Sequence, residues 1–410
     1  MIKSLYETKR LPGIYEEKGE LRDIGRIAWP DGEMADFIIS GGSRAERMGS
    51  VENILRYCAG RYPVVILHTG DGMVEDLIGE IWNERKISGN GLLFPLWIIN
   101  ERKPEFEPFW GMSRMQVIAA VRQVAERLNY MVSPRLDEVV EAHMDILKLL
   151  NLPVSLSGIY YLCRFRDLRE FYENIFSLPC PESEAGRIWA CLGIDDKAEN
   201  SPFYVFRSTV KYLAREAMRS GWSPDNVISN KNILSAIKER AVIAIPVCGV
   251  KTELLLDYLT EELAADNAGP FFFLTDDVRI GESELVKFLM RSNTGCFWGI
   301  TGGNAVELAG GEDPFFLLAE KAERLVYFKH GTGKTAEILA STIGKEDVWK
   351  KEFSRGKNRE FLNVFPRGYH RDERITMENR YRVMPEELSG LNYGQAIILD
   401  TRNDEVIYYN

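Results

Sequence analysis

The chain has 410 residues, 45% hydrophobic and 27% charged, which is long enough for one large α/β domain with an insertion or for two domains. Its formal net charge of -10 argues against indiscriminate binding to nucleic acid or anionic lipid, although it allows a local basic channel. The six scattered cysteines and four histidines give no disulfide framework and no metal-binding pattern, and no apolar run is long enough to cross a bilayer, so we expect a protein of the reducing cytosol.

The first part of the chain predicts a parallel sheet. After a charged arm, residues 1–34, the apolar residues 37–39 predict a strand, and a glycine-rich turn then leads into a helix. Residues 63–67 predict a second strand, which again ends in a glycine-rich turn before a helix. Two successive strand–helix units of this kind imply right-handed crossovers and parallel strands.

The middle of the chain changes to helical patterns, and the strand patterns return after it. We therefore predict an α/β fold with a mostly parallel sheet and an inserted all-helical domain. Residues 356–384 read as a basic, turn-rich segment, and a hairpin is predicted near the end of the sequence. The predicted division is an N-terminal arm at 1–34, the first part of the sheet domain at 35–112, the helical insertion at 113–222 and the second part of the sheet domain at 223–410.

Two acids follow a short run of aromatic and aliphatic residues that begins at Phe271. A buried parallel strand there would deliver Asp276 and Asp277 to the carboxyl edge of the sheet, where open α/β sheets bind ligands. In nucleotide hydrolases, one such acid holds the water shell of Mg²⁺ and a second orients the attacking water. A plain core strand that ends in a polar turn fits the same pattern.

A late glycine-rich turn resembles a phosphate-binding loop in composition. Gly331, Gly333, Lys334 and Thr335 supply glycine, lysine and hydroxyl between a predicted strand and a helix. The pattern is incomplete because Phe328 stands where its first glycine belongs, and too few strand–helix units follow for a nucleotide-hydrolase core. Two interpretations stay open: a solvated turn, or contact with an anion through free N–H groups at the start of the helix.

An earlier turn lies where such a core would begin. Gly41, Gly42 and Ser43 follow the first predicted strand, and Arg47 stands where the pattern wants lysine. Glu46 replaces the second glycine, and the residue after Arg47 cannot ligate Mg²⁺ because it is methionine. Tight binding of a Mg-nucleotide is therefore not expected at this turn, and a glycine-rich turn without a ligand is the alternative.

The order of these segments resembles the coupling-protein ATPases of type IV secretion and conjugation, which are RecA-like motors. The resemblance runs from about Ala35 to the C-terminus and is carried by FIISGGSRAERMGSVENIL, VVILHTGDGMVEDL, FFFLTDDVRIG and RLVYFKHGTGKTAEILASTIGKE. In the second segment His68 stands where the family usually has aspartate. The fourth segment is similar to a family strand and helix that carry no phosphate loop.

The resemblance implies a RecA-like fold with a degraded site. Asp276 and Asp277 match the acidic strand, with Asp277 where a catalytic glutamate is expected, and Gly302 or Gly303 stands near the expected glutamine. Arg291 would act on the nucleotide of a neighbouring copy in a ring, although an arginine at a helix end also commonly caps carbonyl groups. The implied cofactor is ATP with Mg²⁺, bound weakly or not at all, and the implied partners are DNA, secretion-machinery proteins and further copies of the chain. The implied location is the cytoplasm, peripheral to a membrane complex.

A row of cations marks the predicted insertion. Arg207, Lys211, Arg215 and Arg219 recur every four residues, which places them along one face of a helix. Such a row predicts contact with a polyanion, such as a phosphate backbone or an acidic partner, and a solvated helix face is the alternative. Three hypotheses remain: a degenerate ATPase, an active ATPase that uses the Gly331–Thr335 loop, and a non-catalytic scaffold.

Overall fold

Buried apolar strands build the centre of the molecule. The computed structural model describes residues 35–88, 93–100, 105–107, 109–110, 112–164, 201–222, 231–248, 252–263, 270–291, 295–331, 333–357 and 369–409. The predicted arm at 1–34 lies outside these residues. Strands β1 to β11 span Phe37–Ser40, Val64–His68, Leu96–Ile98, Val242–Pro246, Phe271–Asp276, Cys296–Gly302, Arg324–Tyr327, Lys345–Lys357, Tyr369–Tyr381, Ala396–Asp400 and Glu405–Tyr409.

The strands of the main sheet follow the order β11-β10-β7-β1-β6-β5-β2-β4-β3. Neighbouring strands from β7 to β3 pair in parallel, whereas β10 pairs antiparallel with both β7 and β11. Strands β1, β2, β4 and β5 are buried along their whole length, as expected for strands covered on both faces. The predicted α/β class with a mostly parallel sheet is confirmed.

Thirteen helices are described, and they are numbered here in chain order. Helices α1 to α13 span Arg44–Cys58, Met73–Ser88, Arg114–Arg127, Arg135–Leu149, Leu156–Arg164, Pro202–Arg219, Ile233–Glu239, Thr252–Leu263, Glu284–Leu289, Ala305–Leu308, Glu312–Lys321, Lys334–Ile343 and Pro385–Gly390. Among them, no helix is long and apolar enough to cross a membrane.

The helices cover the sheet unequally. Apolar residues of α1 and α2 pack on one face, in a core with Phe37, Ile39 and Ile66. Helices α8, α9, α11 and α12, and the helical part formed by α3 to α6, belong to the core on the opposite face. The helical part occupies the stretch where the sequence predicts an insertion, and the exact domain boundaries stay a prediction.

One segment differs from the sequence-based expectation. Residues 356–384 were expected to be rich in turns, and residues 358–368 of this segment lie outside the described residues. Residues 369–381 form β9, which pairs with β8 in a two-stranded antiparallel ribbon with 13 residues in each strand. For residues 369–381 the expectation was wrong, because charged residues interrupt the apolar alternation by which a half-buried strand is recognised.

Glycines at two sites give opposite predictions for stability. A Cβ atom on Gly299 in β6 would lie 2.2 Å from Cζ of Phe37, which is fully buried. We expect Gly299→Ala to lower the free energy of unfolding by about 1–3 kcal/mol, because a packed core resists added volume. Gly79 in α2 has nothing within 4 Å of its Cβ position, so Gly79→Ala should raise the free energy of unfolding by about 0.5–1 kcal/mol. Urea unfolding measures both; equal effects of the two substitutions would contradict this packing.

Candidate functional site

The predicted glycine turn and the predicted acids meet at the carboxyl edge of the sheet. Strand β6 lies between β1 and β5, and the register aligns Ser40 with Gly302 and Asp276 with Thr301. On its other side β5 pairs with β2, where Asp276 lies opposite His68. Four consecutive strands therefore end at one candidate site.

The turn after β1 is short and tightly packed. Gly41 and Gly42 have φ angles of +88° and +61°, a region that glycine adopts without strain. Their N–H groups donate to the carbonyl oxygens of Gly302 at 3.0 Å and Lys329 at 2.8 Å. A Cβ atom on Gly41 would lie 2.5 Å from Nε2 of His330. The glycines thus let the chain pack on itself, and their N–H groups already have acceptors.

Helix α1 begins immediately after Ser43. The Ser43 hydroxyl accepts the Glu46 N–H at 3.3 Å, and the Glu46 carboxylate accepts the Ser43 N–H at 2.7 Å, which is a capping box. The second carboxylate oxygen of Glu46 accepts the Gly394 N–H at 2.7 Å, and the side chain is buried. The residues that would have to curl around a phosphate are therefore already helical, and they carry a buried negative charge.

Arg47 points back into its own loop. Its Nη1 donates to the carbonyl oxygens of Gly41 and Gly42, both at 3.1 Å, and its Nη2 donates to Oδ2 of Asp277 at 2.7 Å. The residue is 4% exposed. The one cation at the position of the loop lysine is thus engaged by carbonyl groups and by an acid of the same site.

Arg44, which the sequence analysis did not single out, pairs with the other acid. Its Nη2 donates to Oδ2 of Asp276 at 2.5 Å, and its guanidinium also forms an ion pair with Asp71. Its Nε lies 4.0 Å from Oδ2 of Asp277. Arg44 therefore contacts the carboxylates that a bound divalent cation would be expected to contact.

The two acids differ in their surroundings. Asp276 is fully buried and accepts the Thr301 hydroxyl at 2.6 Å; burial raises its pKa, while Thr301 and Arg44 act in the opposite direction. Asp277 has a φ of +52°, a left-handed conformation that is uncommon outside glycine. It accepts the Gly303 N–H at 2.9 Å, so at the position expected for a glutamine side chain the chain offers a backbone donor.

His68, the last residue of β2, lies at the same edge, and its imidazole ring is neutral at pH 7. Burial, and then the charge of Arg44, lower its pKa to about 4. Its Nδ1 accepts the Gly70 N–H at 3.1 Å, so the proton of the neutral ring lies on Nε2, 3.9 Å from Oε1 of Glu75. His68 therefore adds no negative charge where the resembling family usually has aspartate.

The second glycine-rich turn lies apart from the acids. Gly331 and Gly333 follow β7, and α12 begins at Lys334 and Thr335. The Lys334 ammonium lies 3.1 Å from Oε2 of Glu312, and its side chain is 79% exposed. Strand β7 is three strands from β5, a separation of about 14 Å at the usual strand spacing. This lysine and the acids therefore do not form one site.

Arg291 lies at the opposite edge of the sheet from the acids, where the parallel strands begin. It follows α9 and precedes the start of β6, so it is at the amino edge, where it is exposed and contributes positive charge near Glu261. Within this chain it does not meet Asp276 or Asp277. A role toward a neighbouring copy stays a prediction.

The four cations of the predicted polyanion surface lie on α6, but they are not equivalent. Arg207 is half-buried, packs over the Phe203 ring at 5.8 Å and donates to the Cys163 carbonyl at 3.3 Å. Arg219 pairs with Glu216 at 2.5 Å. Lys211 and Arg215 are exposed. Arg219 is exposed as well, so the outward row runs from Lys211 to Arg219, and only Arg207 turns inward.

The site does not fit a Mg-nucleotide. In the described part of the chain, no group of three or more His, Cys, Asp or Glu side chains is arranged to hold a metal ion. The loop N–H groups donate to carbonyl oxygens and to the Glu46 carboxylate, whereas Arg44 and Arg47 donate to the two acids. Among the described residues at this edge, the phosphate donors and the carboxylates therefore already have partners.

Sheet order, flanking helices and the acidic strand define the class as RecA-like α/β. No protein family and no curated protein matches the sequence. Among solved structures, the chain is similar to the bacterial conjugative coupling protein TrwBdeltaN70 in its unbound monoclinic form, with a TM-score of 0.54 and 13% identity over 91% of this chain and 84% of that chain. It is also similar to the plasmid coupling protein TrwB bound to the non-hydrolysable ATP analogue ADPNP, with a TM-score of 0.53 and 12% identity over 93% and 86%. The chain therefore has the fold of the type IV coupling-protein ATPases.

The ion pairs predict a pH-dependent loss of stability when one cation is removed. We expect Arg44→Met to lower the free energy of unfolding by about 3 kcal/mol at pH 8, because it leaves the buried Asp276 carboxylate without its partner. Removing the cation also raises the pKa of Asp276 further, because Arg44 lowers it in the wild type. A carboxyl group whose pKa is higher in the folded than in the unfolded state makes the free energy of unfolding fall as pH rises. The loss should therefore be smaller at pH 5, where Asp276 takes up a proton more readily.

A matched control lies on the same helix. Arg56 also contacts two carboxylates, Glu52 and Glu84, but this pairing is more exposed, so Arg56→Met should cost less than about 1 kcal/mol. Denaturant unfolding at both pH values measures the difference. Equal losses in the two variants, or a loss for Arg44→Met that does not vary with pH, would show that the Arg44 ion pair is not the buried interaction described here.

Proposed function

We propose that this chain has the fold of a coupling ATPase without its hydrolytic activity and works as a component of a conjugative or type IV secretion apparatus that transfers DNA or protein. The observation that carries the proposal is the closed site, in which Arg44 and Arg47 pair with Asp276 and Asp277 inside one chain. The role in transfer rests on the likeness in fold to conjugative coupling proteins.

In the closed site, the groups that would bind the phosphates and the metal ion of a nucleotide already bond to other groups of the chain. A phosphate needs free N–H donors in a loop, and those of Gly41, Gly42 and Ser43 have acceptors within the chain. Mg²⁺ needs acids that are free to bind it or its water shell, and Asp276 and Asp277 are each bonded to an arginine. Bound ATP and Mg²⁺ would have to displace all of these contacts at once.

The Gly331–Thr335 loop is the alternative place for an active ATPase. Its lysine is exposed and its glycines are open, which suits contact with an anion. The distance of three strands from the acids argues against hydrolysis there, since the reaction needs phosphate donors and the metal site around one nucleotide. We therefore favour a role that consists of binding, to DNA, to proteins of the machinery or to further copies in a ring.

The proposal predicts that the protein neither binds nor hydrolyses ATP. Calorimetric titration of ATP, with and without Mg²⁺, should give no saturable heat with the wild type, Arg47→Ala or Lys334→Ala, and phosphate release should equal the buffer rate. Asp276→Ala is the matched variant for the assay. Brisk hydrolysis that Asp276→Ala abolishes would sink the non-hydrolysing part of the proposal, and heat lost only in Lys334→Ala would favour the alternative loop.

A polyanion-binding surface on α6 is the second element of the proposed role. Lys211 and Arg215 are exposed and lie one helical turn apart, a spacing that suits successive contacts with a charged polymer. Because Arg207 and Arg219 have partners within the chain, these two cations are expected to carry most of the electrostatic contact.

This surface predicts salt-dependent binding. The double variant Lys211→Ala with Arg215→Ala should weaken binding to a fluorescent single-stranded oligonucleotide and reduce the slope of log affinity against log salt by about 1.4, since two phosphate contacts are lost. The control, Lys148→Ala with Lys238→Ala, removes the same charge from exposed positions on α4 and α7. An unchanged slope in the first variant, or an equal change in both, would mean that α6 is only a solvated face.

A further inference from the structure

The ribbon of β8 and β9 has two faces of unlike composition. Alternate residues of a strand lie on opposite faces, and residues directly opposite each other in an antiparallel pair share a face. The register of the two strands therefore assigns each residue to one face. The outer part of the ribbon runs from the pair of Trp349 and Met377 to the pair of Lys357 and Tyr369.

One face of this outer part is aromatic and basic, and we call it the basic face. Glu373 is its one acid. Its aromatic and aliphatic residues are Trp349, Phe353, Tyr369, Ile375 and Met377. Its cations are Lys351, Arg355, Lys357 and Arg371. The register thus gathers apolar residues and an excess of positive charge on the same side of the ribbon.

The opposite face of the outer part balances its own charges. Glu352 lies directly opposite Arg374, which is a stabilising pair of unlike charges. Lys350 and Asp372 are the other charged residues there, and no residue on that face is Phe, Tyr, Trp, Ile, Leu, Val or Met. The opposite face therefore has the composition of a surface that is satisfied by water.

On the basic face the register brings like charges together. Arg355 lies directly opposite Arg371, and like charges in this relation repel each other. An anion beside both residues would remove the repulsion. The position of these two arginines therefore favours an anionic ligand on this face.

The described residues near the base of the ribbon are open to solvent. Met377, which belongs to the basic face, is 58% exposed, and the first three residues of β8 are exposed as well. Tyr381, at the end of β9, packs against the core of the sheet domain. An exposed apolar surface that also carries charged residues is typical of an interaction site.

We propose that the basic face binds the surface of a lipid bilayer that contains anionic lipids. Lys and Arg are attracted by the negative potential of such a surface, and aromatic rings enter its headgroup region. The chain as a whole has a net charge of -10, so the attraction has to come from a local face of this kind. The proposal does not depend on the closed site or on the surface of α6.

The composition of the basic face favours lipid over nucleic acid. A single-stranded nucleic acid is bound by planar rings that stack on bases and by cations that contact phosphates. Ile375 and Met377 have no planar ring, although they lie opposite Lys351 and Trp349 in the register. Aliphatic groups gain free energy when they leave water for the boundary of the acyl chains.

Sedimentation of the full chain with vesicles tests the proposal. The wild type should bind vesicles of phosphatidylcholine with about a third phosphatidylserine at least about tenfold more tightly than vesicles of phosphatidylcholine alone, and salt should weaken this binding. Arg355→Gln with Arg371→Gln should weaken it about 25-fold, which is about fivefold for each cation. Phe353→Ser, which changes no charge, should weaken it about tenfold.

The matched control is Lys350→Gln with Arg374→Gln, which removes the same charge from the opposite face of the same strands. It should change binding by less than about threefold, because salt screens the more distant charges. Equal losses in the two double variants, or unchanged binding in Phe353→Ser, would overturn the proposal. Wild type that does not bind the anionic vesicles overturns it even if a variant does not fold, and wild type that instead binds a single-stranded oligonucleotide through Arg355 and Arg371 assigns the face to nucleic acid.

Discussion

Two ion pairs at the start of α1 determine the charge and the accessibility of the candidate site. Arg44 and Arg47 lie in the first turn of the helix, and they contact the two acids that β5 delivers to the same edge, one of them fully buried. Because the positive and negative groups belong to one chain, the edge is neutralised without a ligand. The tight glycine turn, the neutral His68 and the backbone donor of Gly303 are all consistent with an edge that the protein closes by itself.

The fold could be predicted because its strands are nearly continuous apolar runs that end in glycine-rich or acidic turns. Residues such as Phe271 to Leu274 are buried on both faces, so their pattern does not depend on what packs against them. The order of these strands and turns also led to the correct family of folds. The ribbon of β8 and β9 could not be found in this way, because its charged strands have no clean alternation.

The site was only half predictable. The sequence led to Asp276, Asp277 and Arg47 as candidates, but it did not reveal that Arg44 pairs with Asp276, since a contact across 232 positions leaves no local pattern. One local pattern was available: Ser43 followed by Glu46 is a capping-box sequence, which predicts a helix from residue 44 and leaves no length for a phosphate cradle. The local rule for helix starts therefore carried more information about the conformation of this turn than the comparison with the phosphate-loop pattern.

The central feature is that Arg44 and Arg47 neutralise Asp276 and Asp277 within one chain. It is tested most directly by measuring the thermal unfolding midpoint of the wild-type chain with and without ~1 mM Mg-ATP. A ligand that binds only the folded state raises the midpoint in proportion to its affinity and concentration. If Arg44 and Arg47 already occupy the acids and the loop, the two midpoints will coincide within error. A rise of several degrees that requires both ATP and Mg²⁺ would contradict the account, because the edge would then hold a nucleotide that the ion pairs should exclude.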